Sequence, residues 1–296
     1  MRKARITRLP LVSRERRVRL SRSKTGTFGI FLFMLVMGAY MLLPVLYSVV
    51  QAFKPIDEIF AFPPRFFVRN PTLENFKQVL LLADNLWVPF SRYVFNSLLV
   101  SLGGTFLYVM ISSLAAYPLA KAKFRGISLI STLVVWTLLF NADVTAMPRY
   151  IVISKLGMIN TYWAVVLPML SGTMGVFLMR QFIISAIPDS TLAAARIDGA
   201  SEYCIFFRIV MPSIKAAWMT VAIFGFQTFW NFNPQSYIYS ENLKQLPAVL
   251  SSIAAGGIAR AGAASAVSVI LMIPPISIFI LSQSSVVETM AHSGLK

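Results

Sequence analysis

Residues 187–217 read IPDSTLAAARIDGASEYCIFFRIVMPSIKAA. This polar stretch lies between two apolar runs of membrane-spanning length, 162–182 and 216–232. Lipid cannot satisfy the backbone of an irregular polar segment, so the stretch lies in water or against another protein. Its parts are Ala193-Ala194-Ala195, then Asp198-Gly199-Ala200, then an aromatic-rich helix ended by Pro212. The small side chains of the alanine run let a helix lie close to a partner. Gly199 has no Cβ and permits a sharp change of direction. Asp198 is placed to cap the helix that follows. Tyr203, Ile205, Phe206, Ile209 and Val210 give that helix an apolar stripe. By physics alone the stretch is either a docking element or an amphipathic connector on the membrane surface.

The composition places the stretch in a membrane protein. Of 296 residues, 57% are hydrophobic and only 13% charged, where a soluble domain carries roughly 25% charged residues. Mean hydropathy is +0.70. The net charge is +16, but its distribution points away from nucleic acid. Ten basic residues fall within positions 1–24, opposed only by Glu15. That is the pattern of a cytoplasmic tail obeying the positive-inside bias, with anionic lipid as a further contact. The apolar run that follows far exceeds a signal-peptide core of about 7–15 residues, so it reads as a retained span. The one cysteine, Cys204, forms no internal disulfide, and the one histidine, His292, has no cluster around it to hold a metal.

Six runs of spanning length follow, at 27–53, 96–119, 127–147, 162–182, 216–232 and 261–281. They predict an all-α integral membrane protein with both termini in the cytoplasm. The divisions are a basic tail at 1–26, a six-helix domain at 27–283 and a cytoplasmic tail at 284–296. This topology puts eighteen Lys and Arg inside and nine outside. The first outer segment, 54–93, holds Pro55, Pro63, Pro64, Pro71 and Pro89, which break regular helices. It also carries interfacial aromatics, among them Phe60, Phe62, Phe66, Phe67 and Trp87. Within it, NPTLENF at 70–76 predicts a short helix capped by Thr72.

The stretch at 187–217 resembles the EAA loop of ABC-importer permeases, in the form found in carbohydrate importers. Ile187-Pro188, Ala194-Ala195, Asp198-Gly199-Ala200 and Pro212 fall in register, between the fourth and fifth of six spans. The likeness continues in AAYPLAKAKFRG (115–126), KLGMINTYWAVVLP (155–168), Phe229-Trp230-Asn231-Phe232, the PTLENF phrase and the closing ETMAHSGLK. The resemblance implies a type I importer permease fold and a bacterial inner-membrane location. It implies that 187–214 is the cytoplasmic contact with an ATPase, carried by Ala193, Ala194, Ala195, Asp198, Gly199, Ala200, Glu202 and Pro212. One departure stands out: Ala193 replaces the family's usual glutamate, and Ser190 the acidic position before it. Glu202 and Asp189 are the nearby acids that would have to supply the missing pair.

The resemblance implies partners as well. They are a second, homologous permease, two ATP-binding subunits, an external solute-binding protein, a sugar substrate and membrane lipid, with no nucleic acid. The chain contains no Gly-x-x-x-x-Gly-Lys-Ser/Thr loop, so ATP and Mg are expected in partner subunits. It has no catalytic residue of its own. Sugar sites pair aromatic faces with polar groups. The candidates for the substrate pathway are Asn141, Asp143, Tyr150, Tyr162, Trp163, Gln227, Trp230, Asn231 and Asn233, although such residues also anchor and join helices. Asp143 is the one acid within a predicted span, and an acid there is costly enough to suggest function. An ion-coupled secondary transporter is the alternative, but it would more often show repeated halves and several intramembrane ionisable groups. Nine basic against five acidic residues in the outer segments favour an acidic, uronate-type oligosaccharide.

Overall fold

The computed structural model describes residues 24–84, 88–140, 144–233, 236–257 and 260–293. The basic residues of positions 1–23, Trp87, Asn141, Asp143 and the last three residues lie outside these. Among the described residues every regular element is helical. In order they are α1 (Lys24–Ala52), α2 (Ile56–Ile59), α3 (Glu74–Asp84), α4 (Phe90–Lys121), α5 (Ile127–Thr137), α6 (Ala146–Lys155), α7 (Trp163–Leu170), α8 (Thr173–Ala186) and α9 (Asp189–Ile197). Then come α10 (Glu202–Ile205), a π-helical turn (Phe206–Val210), α11 (Met211–Ser213), α12 (Lys215–Asn231), a 3-10 turn (Glu241–Leu243), α13 (Leu246–Ala254) and α14 (Ala261–Ser293).

The chain divides into two units, 1–47 and 48–296. In the first, the helical residues are exposed and apolar on every side, from Phe28 to Leu46. A helix of that kind is stable only in lipid or under other helices. The second unit is built around α4. Its buried face is small and hydroxylated, with Ser97, Ser101, Gly104, Thr105, Ser112, Ser113 and Ala116. Small residues let helices approach closely. A Cβ on Gly104 would stand 2.6 Å from the Phe229 ring, so α12 crosses α4 there nearly backbone to ring.

Among the described residues three helices are long and apolar enough to cross a membrane: α1, α4 and the 261–283 part of α14. Two further helix pairs pass the same test only when taken together, and both are bent. α7 and α8 meet at 42°, and the arm Glu202–Ser213 meets α12 at 81°. The predicted fourth span is thus broken at Ser171-Gly172. Pro168 has no N–H to continue the ladder, and Gly172 adopts extended backbone ahead of α8. The predicted third span, 127–147, is not one helix among the described residues. α5 has 11 residues, about 16 Å at 1.5 Å per residue, against a hydrocarbon core of about 30 Å. The predicted tail from 284 continues α14 as helix to Ser293.

The α7–α8 break is held by Tyr108. The first N–H groups of a helix have no partner in it. The Gly175 N–H, in the first turn of α8, donates to Tyr108 Oη at 2.7 Å. A Cβ on Gly175 would stand 2.7 Å from that oxygen and 2.5 Å from Ser112 Oγ, so only glycine fits.

The Thr72 cap is present: its hydroxyl accepts from the Glu74 N–H at 3.1 Å. Buried Asn75 then donates to the carbonyls of Ala52 (2.9 Å) and Lys54 (2.7 Å), beyond the last turns of α1.

Candidate functional site: the 187–214 knuckle and the far end of α4

Asp189 opens α9 after Pro188, which pre-sets extended backbone for the turn. An acid in the first turn suits the helix dipole. Lys121, at the end of α4, donates to the Ile187 carbonyl (2.6 Å) and to Asp189 Oδ1 (2.7 Å). The lysine holds the exposed Asp189 carboxyl below its ordinary value. Leu192 is buried and anchors α9, Ala195 is half-buried, and Ala193 and Ala194 face outward.

α9 ends in a Schellman turn. The Ala200 N–H bonds the Ala195 carbonyl (3.0 Å) and the Gly199 N–H bonds that of Arg196 (3.1 Å). Gly199 sits at φ +78, a conformation open to glycine at little cost. Asp198 does not cap the next helix, as the sequence suggested; it closes α9. Ser201 is the cap, its Oγ accepting from the Cys204 N–H at 3.3 Å. The sequence missed it because Asp and Ser are near-equal caps, and only the backbone path separates them.

Ile205, Phe206 and Val210 turn inward as the stripe predicts, but Tyr203 is 77% exposed. The helix passes through Pro212 and breaks at Ile214. Met211 N–H bonds the Phe206 carbonyl, five residues back, which widens the helix ahead of the proline.

Glu202 ties the two arms together. It accepts from Arg196 Nε and from Tyr117 OH, each at 2.7 Å. Glu202 and Asp189, the acids that would replace the missing glutamate, are therefore both engaged inside the chain. The knuckle instead exposes Ala193, Ala194, Ile197 (86% exposed) and Tyr203, beside the uncharged Ser190 and Thr191 and the acid Asp198. The anchors Tyr117 and Lys121 escaped sequence reading. They belong to the Ala115–Gly126 phrase, which locally reads only as a helix end.

At the other end of α4, Asn96 accepts from Tyr162 OH (2.7 Å) and donates to the carbonyls of Asn242 and Lys244 (2.9 Å each). The predicted pathway residues divide here. Tyr150 brings its hydroxyl 3.4 Å from that of Tyr239, a residue the sequence reading did not single out. Trp163 is exposed at the start of α7, Gln227 is half-buried, and Asn231 is exposed at the end of α12. Asn233 lies 3.4 Å from Ser251 Oγ. Trp230 is buried, with its ring stacked on Phe226 and its indole N–H bonded to the Leu271 carbonyl at 3.1 Å. Asn141 and Asp143 lie outside the described residues. A separate cavity of about 310 Å³ lies at the α7–α8 break, lined by Tyr108, Gly172, Met174, Phe224, Thr228 and others. None of the seven predicted residues that are described lines it.

A family described as binding-protein-dependent transport system inner membrane component matches residues 109–233. Protein LplC of Bacillus subtilis is 30% identical over 73% of this chain and 70% of its own length. The arabinooligosaccharides transport system permease protein AraQ of Halalkalibacterium halodurans is 28% identical over 86% and 90%. The polygalacturonan/rhamnogalacturonan transport system permease protein YtcP of Bacillus subtilis is 28% identical over 74% and 73%. A crystal structure of a bacterial ABC transporter that imports the acidic polysaccharide alginate contains a chain of the same fold. That chain superposes with a TM-score of 0.73 at 20% identity, over 89% of this chain and 98% of its own.

Proposed function

The chain belongs to the binding-protein-dependent transport system inner membrane components, and from that premise we propose that it forms half of an importer's pathway for a sugar or oligosaccharide, driven by separate ATPase subunits docked on the 187–214 knuckle. The carrying observation is the knuckle itself. Ile197 and Tyr203 are held outward by a Schellman turn and by Glu202 between Arg196 and Tyr117. Exposed large apolar side chains at the tip of a rigid polar loop fit a protein partner. With Ala193 in place of the family's glutamate, the contact rests on this apolar tip and the alanines. ATP and Mg belong to the partner subunits, and a second permease completes the pore.

Hydrogen bonds at the two ends of α4 support six crossings. Asn96 and Lys121 stand about 38 Å apart along the helix. Tyr162 bonds at the Asn96 end and Asp189 at the Lys121 end, so α7 and α8 cross once. The segment from α5 to Tyr162 leaves the Lys121 end and arrives at the Asn96 end, so it crosses too. α12 returns from the knuckle toward 242–246, whose Leu246 N–H donates to Ser97 Oγ at 2.7 Å. Counting α1, α4 and α14 as one crossing each gives six, and the excess of Lys and Arg on one side of that topology assigns both termini and the knuckle to the cytoplasm, with the Asn96 end outward to meet a solute-binding protein.

The outer charge balance, nine basic against five acidic residues, favours a uronate-type oligosaccharide. The polygalacturonan relative and the alginate importer fit that class, whereas the arabinooligosaccharide relative keeps neutral sugars in the panel. The test is uptake into proteoliposomes by the complete complex with its solute-binding protein, using galacturonate and arabinose oligomers. Uptake should require internal or external ATP on the knuckle side. Uptake driven by a pH gradient without ATP would replace this reading with a secondary transporter.

A further inference from the structure

The segment after α12 is fixed with unusual care for a loop. Asn160, at φ +63, accepts the N–H groups of Tyr239 (3.3 Å) and Ser240 (2.9 Å) on its side-chain oxygen, and its own N–H donates to the Tyr237 carbonyl (2.8 Å). Tyr237 is buried, with its ring 6.0 Å from those of Phe232 and Tyr150. On this aromatic base Tyr239 is held outward, 58% exposed. Its hydroxyl donates to the Ser236 carbonyl at 3.1 Å, which fixes the far edge of the ring while most of the side chain stays uncovered.

Beside Tyr239 lies a cavity of about 320 Å³, lined by Ile238, Glu241, Lys244, Ala248, Val249 and Ser252 as well. This is at the small end of ligand pockets, about 300–1,000 Å³, and suits one ring. Glu241 is paired with the Lys244 ammonium and accepts from Tyr93 OH at 3.2 Å. The wall therefore offers a carboxylate acceptor and an ammonium donor with no net charge between them. Vicinal hydroxyls, each a donor and an acceptor, complement such a pair. A free carboxylate does not, because the lysine is already neutralised.

We propose that the cavity beside Tyr239 is a saccharide subsite, in which the tyrosine ring stacks on one sugar ring while Glu241 and Lys244 bond its hydroxyls. The subsite rests on the reading of the chain as a saccharide permease and places a binding step at the Asn96 end of α4. It reads hydroxyls rather than charge, so it accepts neutral and uronate oligomers alike. Tyr150 is a positioning residue: its hydroxyl meets that of Tyr239 at 3.4 Å and acts on the sugar only through it.

The experiment uses the complete complex in nanodiscs, with arabinotriose and trigalacturonate as probes, read by saturation-transfer NMR. Uptake in proteoliposomes runs in parallel. Wild type should transfer saturation to ring protons of both sugars. Tyr239→Ala should weaken both about tenfold, and Tyr239→Phe should retain binding because the stacking face remains. Lys244→Met combined with Glu241→Gln, which keeps the wall without net charge, should weaken both by similar factors, which a charge-reading site would not do. Unchanged binding in Tyr239→Ala, or no transfer in a wild type that still imports, overturns the subsite and leaves the permease standing. Loss for trigalacturonate alone in the Glu241→Gln, Lys244→Met double variant overturns hydroxyl recognition. A wild type that imports neither saccharide overturns both readings.

Discussion

The indole N–H of Trp230 donates to the carbonyl of Leu271, 3.1 Å away on α14. In a regular helix that carbonyl would be taken by the N–H of residue 275, but residue 275 is Pro275 and has none. The tryptophan supplies the missing donor from a helix 41 positions earlier in the chain. Its ring stacks on Phe226 at the same crossing. Trp230 thus joins α12 to α14.

Trp230→Phe keeps most of the apolar contact and removes the donor. A buried carbonyl left without a partner costs about 1–3 kcal/mol. The purified complex should melt at lower temperature, with the sugar preference of uptake unchanged. Normal melting with altered sugar preference would instead return Trp230 to the substrate pathway.

Gly175→Ala places a Cβ against Tyr108 Oη and Ser112 Oγ. Overpacking of this kind costs about 1–3 kcal/mol, and the hydrogen bond at the α7–α8 break would open. Tyr108→Phe, which loses only the bond, should be milder. Thermal melting of the two variants side by side measures the order; a Gly175→Ala protein as stable as wild type contradicts the tight approach.

Gly199→Val forces a β-branched residue into φ +78, a strain of about 1–3 kcal/mol. No atom lies within 4 Å of the added Cβ, so the effect comes from the backbone and not from a clash. The complex should insert but couple poorly, with ATP hydrolysed and little sugar moved. Cysteines at Ala194 and Ile197 should cross-link to an ATPase subunit in wild type and less in the variant. Cross-links to no ATPase would remove the docking assignment.

The Lys121–Asp189 tether carries a defined pH response. Asp189 has its pKa lowered from the ordinary 3.8 by its bond to Lys121. A carboxyl with a depressed folded pKa stabilises the fold above its unfolded value and loses that contribution as pH falls through the folded one. The knuckle should therefore be insensitive between neutral pH and the ordinary carboxylate value, and loosen only below it. Amide protection factors in α9, taken relative to the intrinsic exchange rate at each pH, should be flat across that range in wild type and lowered throughout in Asp189→Asn. A fall in wild-type protection already near neutral pH would contradict the tether.

From the amino-acid sequence alone the apolar helices α1, α4, α12 and α14, the position of the knuckle and the turn at Gly199 were legible. The physical reason is that these are local properties. Transfer of an apolar run into lipid depends on that run alone, and a left-handed turn selects glycine whatever surrounds it. The tertiary structure decided what local reasoning leaves open. It made Ser201 the cap in place of Asp198, spent Asp189 and Glu202 on Lys121, Arg196 and Tyr117, broke the predicted fourth span at Gly172 and left α5 at 11 residues. It also set Tyr150 against Tyr239, 89 positions apart in the chain. Those outcomes depend on which groups meet across helices, and buried polar groups take whichever partner the packing delivers.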